Sequence, residues 1–129
     1  MSDPQALILV VDDDDFTAQL TAMILDAAGY RTIVAEGGPD ALEKLVDNPE
    51  IRIVVSDMDM PFIDGVQLFA ECRQQGYKQP FMLLTGKDAA PLRLAHPELD
   101  AVLTKDEQLP DVLPNLIESL LAGADQECR

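Results

Sequence analysis

The chain has 129 residues, 47% of them hydrophobic, which suffices for one packed core without a disulfide or a structural metal. Aspartate and glutamate number 24 against 9 lysines and arginines, a net charge of −15 that repels nucleic acid and anionic lipid and favours cationic, metallic or apolar partners. The one histidine, His96, excludes a multi-histidine metal site and argues against Ser/His/Asp hydrolysis; Cys72 and Cys128 form no CxxC pair and are expected as free thiols of a reduced cytoplasmic protein.

Short continuous apolar runs alternate with segments of helical period, the pattern of βα units around a parallel sheet buried on both faces. In chain order the expected strands are Ala6 to Val11, Arg31 to Ala35, Ile51 to Ser56, Pro80 to Leu84 and Ala101 to Leu103. The first helix spans about Phe16 to Ala28, with Asp14 and Asp15 as caps and Gly29 as a left-handed stop. The second opens at Gly38 and Pro39 and ends before Asn48 and Pro49; the third runs from about Val66 to Gln75 and stops at Gly76. Pro91 and Pro97 bracket only Leu92 to His96, room for a turn or two. The last helix opens at Pro110 or Pro114, Pro114 being the preferred start, and runs to about Leu121. Residues 1–5 and 123–129 read as tails around a single domain at 6–122. The longest apolar run, Ala6 to Val11, is far below the ~20 residues of a membrane span, and no basic segment opens a signal peptide, so a cytoplasmic location without membrane contact is expected.

In open parallel α/β sheets, ligands bind beyond the carboxyl ends of the strands. Those ends carry Asp12 to Asp15 after the first strand, Asp57 after the third, Thr85 after the fourth and Lys105 after the fifth. Right-handed crossovers bring them to one edge of the sheet. Two carboxylates ~4 Å apart repel by ~4 kcal/mol at an effective dielectric of ~20, so this cluster calls for a cation. Oxygen-only ligands completed by water favour Mg²⁺ over Zn²⁺, with Mn²⁺ as a substitute, and Lys105 adds a further positive charge.

Taken in order, these motifs resemble the receiver domain of two-component response regulators. They are the acidic pair Asp12 and Asp13 after Ile8-Leu9-Val10-Val11; Asp57-Met58-Asp59-Met60-Pro61-Phe62-Ile63-Asp64-Gly65, similar to the family's D-x-x-M-P-x-x-D-G; Thr85 after Met82-Leu83-Leu84; and Lys105 after Ala101-Val102-Leu103-Thr104. The likeness covers Ala6 to about Leu121. It implies an α/β, flavodoxin-like, doubly wound five-stranded parallel sheet of order 2-1-3-4-5, with helices on both faces.

The resemblance also implies a chemistry. Asp57 is the phosphoacceptor, taking its phosphoryl group from a phosphohistidine on a sensor histidine kinase or histidine phosphotransfer protein. Asp13, Asp57 and the backbone carbonyl of Met58 ligate Mg²⁺ directly, and Asp12 acts through a bound water. Lys105 and Thr85 contact phosphoryl oxygens, and the swing of Thr85 moves the fourth loop. Asp59 and Lys87 flank the phosphoryl, and their charges are expected to pair across the entrance. The chain is then a signalling phosphoacceptor, not an enzyme acting on outside substrates; it has a downstream protein partner and is a monomer or a phosphorylation-linked dimer. Two departures stand out: Asp106 replaces the family's usual proline, and Val102 replaces its usual aromatic residue. They keep open a degenerate receiver that binds a partner without phosphorylation. Asp57-Met58-Asp59 also fits the D-x-D of a haloacid-dehalogenase-type phosphatase, although that family needs another acidic motif after the lysine.

Overall fold

Aliphatic residues dominate the strand segments, without a break in the first, because the sheet is covered on both faces, and the helices supply the covers. The computed structural model describes the backbone of residues 6–127 and the side chains of residues 6–123. The order is β1 (Leu7–Val11), α1 (Asp15–Ala27), β2 (Arg31–Ala35), α2 (Gly38–Asp47), β3 (Ile51–Asp57), α3 (Gly65–Gln74), β4 (Phe81–Thr85), α4 (Ala89–Ala95), β5 (Ala101–Thr104) and α5 (Leu109–Glu127). All strand pairs are parallel, in the order β2-β1-β3-β4-β5, the doubly wound topology expected. No described helix is long and apolar enough to cross a membrane.

The two-residue period of a strand sorts the core into two layers. On one face Leu7, Leu9 and Val11 pack with Leu45 of α2 and Leu68 and Phe69 of α3. On the other, Ile8 and Val10 pack with Leu25 of α1 and Leu113, Ile117 and Leu121 of α5. Each such fully buried side chain stabilises the fold by ~1.5–3 kcal/mol.

Local chemistry sets the helix ends. Asp14 is the N-cap of α1, its carboxylate accepting the Phe16 N–H at 3.2 Å and the Thr17 hydroxyl at 2.7 Å. Asp64 and Gln67 form a reciprocal capping box at the start of α3. Gly29 and Gly76, both with positive φ, follow α1 and α3 as expected.

Several boundaries differ from the sequence reading. α4 is short, as expected, but begins at Ala89, so Pro91 lies within its first turn, where the missing N–H has no helical partner to lose. α5 begins at Leu109 rather than Pro114, and Pro114 lies inside it. One ladder bond is lost there, while Leu109, Leu113, Ile117 and Leu121, four residues apart, are all buried along one stripe. The same helix continues to Glu127, past the end expected near Leu121 and through the start of the presumed tail. The expected N-terminal tail, residues 1–5, and Cys128 lie outside the described residues.

Candidate functional site

β3 and β4 each run one residue further than expected, so Asp57 and Thr85 are the last residues of their strands. Val11 is the register partner of Ser56, which places Asp12 and Asp57 abreast on neighbouring strands, and Thr85 is the partner of Thr104, just before Lys105. Backbone bonds continue the sheet into the site. Asp12 N–H donates to the Ala35 carbonyl at 3.1 Å, Met58 N–H to that of Leu84 at 2.9 Å, and Lys105 N–H to that of Thr85 at 2.8 Å. The side chains of Asp12, Asp57 and Lys105 thus stand on sheet-bonded backbone rather than on free loops.

One carboxylate oxygen from each of Asp12, Asp13 and Asp57 lies within 4.8 Å of the other two. Asp12 and Asp57 are buried and Asp13 is exposed. The ammonium of Lys105 reaches Asp57 Oδ1 at 2.7 Å and Asp12 Oδ2 at 3.3 Å. Asp12 Oδ1 also accepts the Asp14 N–H at 2.9 Å. Burial raises the pKa of Asp57 and outweighs the opposing pull of Lys105, with Asp12 and Asp59 adding repulsion. Burial of Lys105 works against its charge, but its bond to Asp57 and the fields of Asp57 and Asp12 prevail and raise its pKa. Three clustered carboxylates thus face one ammonium, and their hard, oxygen-only donor set with one open, solvent-facing member fits Mg²⁺.

Other expected participants are engaged elsewhere. The Met58 carbonyl accepts the Gly65 N–H at 2.9 Å, which leaves one lone pair for any ion. The buried Thr85 hydroxyl accepts the Lys87 N–H at 3.1 Å and so is tied to its own loop. Asp59 and Lys87 are exposed and form no ion pair with each other among the described residues, contrary to the pairing expected across the entrance. His96 lies at the end of α4, its Nδ1 3.4 Å from a Glu98 oxygen, outside this cluster. The peptide between Lys105 and Asp106 is trans, as expected where aspartate replaces proline. Val102 is buried in the core, and Arg93 of α4 donates to its carbonyl at 2.8 Å.

Three features escaped the sequence reading. Gly65 packs so tightly that a Cβ there would sit 2.7 Å from the Asp57 carbonyl oxygen and against the Leu83 side chain. Thr104 accepts the Ala89 N–H at 3.1 Å, fastening the start of α4 to the strand that carries Lys105. An apolar groove of about 580 Å³ lies beside Lys105, between Leu20, Met23 and Ile24 of α1 and Leu109 and Pro110 of α5. Two of its lining residues, Leu20 and Met23, are exposed, as is Phe16 earlier on α1, and their i, i+4, i+7 spacing was the available sequence signal.

The family model for the response regulator receiver domain matches residues 8–117. The chain belongs to that family. This receiver domain is 35% identical over 115 residues to the response regulator MprA of Mycobacterium sp. (strain KMS), an alignment covering 89% of the chain and 47% of MprA. It is 34% identical over 91 residues to the transcriptional regulatory protein GlrR of Escherichia coli (strain K12), covering 70% of the chain and 20% of GlrR. The chain thus spans less than half the length of these relatives. Among solved structures, the response regulator TrrA of Thermotoga maritima, in complex with Mg²⁺ and beryllium fluoride, superposes with a TM-score of 0.80 at 28% identity, covering 90% of the receiver and 99% of TrrA.

Proposed function

We propose that this receiver accepts a phosphoryl group on Asp57 from a phosphohistidine of a sensor histidine kinase or histidine phosphotransfer protein, in a Mg²⁺-dependent reaction in the cytoplasm, and passes the change to a downstream protein. The observation that carries this reading is the convergence of the Asp12, Asp13 and Asp57 oxygens with the Lys105 ammonium bonded to Asp57. The family membership and the Mg²⁺ of TrrA support it.

An Asp57 oxygen attacks phosphorus, the P–N bond of the donor breaks, and the electron pair leaves with the imidazole, giving an acyl phosphate. Asp13, Asp57 and the free lone pair of the Met58 carbonyl would hold Mg²⁺ directly and Asp12 through a bound water, and the ion would supply the positive charge that offsets the ~1.5 to 2 negative charges a phosphoryl group adds. Lys105 transfers its ammonium from the Asp57 carboxylate to a phosphoryl oxygen, so charge compensation is in place before transfer begins. Thr85 donates its hydroxyl to another oxygen, and because that hydroxyl now holds Lys87 N–H, its recruitment pulls on the loop leading into α4.

Incubation with acetyl phosphate and Mg²⁺ is expected to give a species about 80 Da heavier, one phosphoryl group, that is absent in EDTA and in Asp57→Asn. No adduct under either condition would instead support a phosphorylation-independent interaction module, and steady turnover of phosphate esters would support the phosphatase.

A further inference from the structure

The β3–α3 connection, residues 58–64, is fastened along its length. Met58 N–H donates to the Leu84 carbonyl and Gly65 N–H to the Met58 carbonyl, both at 2.9 Å. Ile63 seats its side chain against Gly38 at the start of α2, where a Cβ would have no room, and Asp64 is locked into the capping box of α3. Between these points Ile63 N–H donates to the Pro61 carbonyl at 2.9 Å, closing a three-residue turn on Phe62. Phe62 has φ of 73°, the one positive φ among described non-glycine residues. A γ-turn with positive φ is rare and strained, and a bulky residue is among the worst suited to it.

Phe62 is also 92% exposed, more than any other large hydrophobic residue described. The fold gains neither packing nor backbone ease from this side chain, and both penalties fall in the loop that directly follows Asp57. Strain concentrated beside a reactive group points to a role outside folding. A phenyl ring with two torsions, projected from a fastened turn, loses little freedom when it enters a pocket. Exposed Asp13 and Asp59 belong to the same edge of the sheet, so a complementary surface has an apolar centre and a lysine or arginine rim. A second copy of this chain carries a net charge of −15 and is repelled by that acidic edge.

We propose that Phe62 is the anchor for the protein that bears the donor phosphohistidine, entering an apolar, basic-rimmed pocket beside that histidine. The proposal rests on Asp57 as phosphoacceptor, and the test separates the two. The native chain, Phe62→Gly and Phe62→Trp are each labelled with acetyl phosphate, and separately with a panel of purified histidine phosphotransfer domains charged with radioactive phosphate. Phe62→Gly is expected to match the native chain with acetyl phosphate and to melt no lower, since glycine relieves the turn. From the domain that serves the native chain best, its second-order transfer rate is expected to fall about tenfold or more, while Phe62→Trp retains most of the rate. Transfer within about twofold of native from every domain overturns the proposal. So does an equal loss with acetyl phosphate, a melting point lowered by several degrees, or a native chain labelled by acetyl phosphate but by none of the domains. A native chain labelled by neither source contradicts the phosphoacceptor reading itself, and the anchor falls with it.

Discussion

Replacing Lys105 by methionine keeps most of the side-chain stem and removes the ammonium that holds two buried carboxylates. At 2.7 and 3.3 Å and an effective dielectric of ~20, the gross attractions to Asp57 and Asp12 are about 6 and about 5 kcal/mol. Desolvating an ammonium offsets several kcal/mol of that, and Lys105 keeps 21% of its side-chain exposure, so solvent screens the remainder. Removing one partner of a buried pair costs ~3–5 kcal/mol, and partial exposure places this variant near the lower end, at about 3 kcal/mol. The raised pKa of Lys105 sets the pH window: its stabilisation is fully present below its unfolded value of 10.5 and is lost as pH rises through the higher folded value. Thermal melts at pH 8 in EDTA are therefore expected to show a loss of about 10 °C for a chain of this length. Mg²⁺ should have the opposite relation to the variant, because the same deletion leaves the three carboxylates less neutralised. Titration calorimetry is expected to give about tenfold tighter Mg²⁺ binding. Mg²⁺ at about 100 times its Kd then returns ~2.7 kcal/mol, nearly the whole loss. A melting point lowered by less than about 2 °C, or weaker Mg²⁺ binding in Lys105→Met, would refute the reasoning.

Gly65→Ala should destabilise the protein by ~1–3 kcal/mol in urea unfolding and weaken Mg²⁺ binding, although alanine is the better helix former, because the added Cβ meets the Asp57 carbonyl oxygen at 2.7 Å. Thr104→Val should cost ~1–3 kcal/mol and speed hydrogen exchange at the Ala89 amide, which loses its acceptor; unchanged exchange there would remove Thr104 as the fastening of α4. Burial pushes the Cys72 thiol from 9.0 up to about 11, so iodoacetamide at pH 8 should leave Cys72 unmodified in the folded protein and modify it in urea. Because the folded thiol holds its proton longer than the unfolded one, this group also makes stability decline as pH rises past 9.0, with the decline levelling off above about 11.

Much of the candidate site was legible because its polar residues directly follow apolar runs. A parallel sheet converts that sequence position into a shared edge, and Asp12, Asp13, Asp57 and Lys105 meet there. The start of α5 was misplaced because Pro114 reads as a boundary when judged alone. Its one lost bond is outweighed by burial of Leu109 and Leu113, which a four-residue spacing announces. Pro91 misled for a related reason, since a first helical turn tolerates proline as well as the position before it does. The hydroxyl of Thr85 was out of reach in kind: its direction depends on the Lys87 amide, fixed by how the loop closes. Phe62 was invisible because the family motif leaves its position unspecified, and only the backbone reveals that it occupies a turn suited to glycine.

The central claim is that Asp57 carries the phosphoryl group as an acyl phosphate whose formation needs the neighbouring carboxylates and Mg²⁺. Borohydride reduces an acyl phosphate to an alcohol, which converts a phosphorylated aspartate into homoserine that peptide mass spectrometry can locate. After treatment with acetyl phosphate and Mg²⁺, homoserine is expected at position 57 alone, and nowhere when EDTA replaces Mg²⁺. Homoserine at another aspartate, or at position 57 equally in EDTA, would contradict the account.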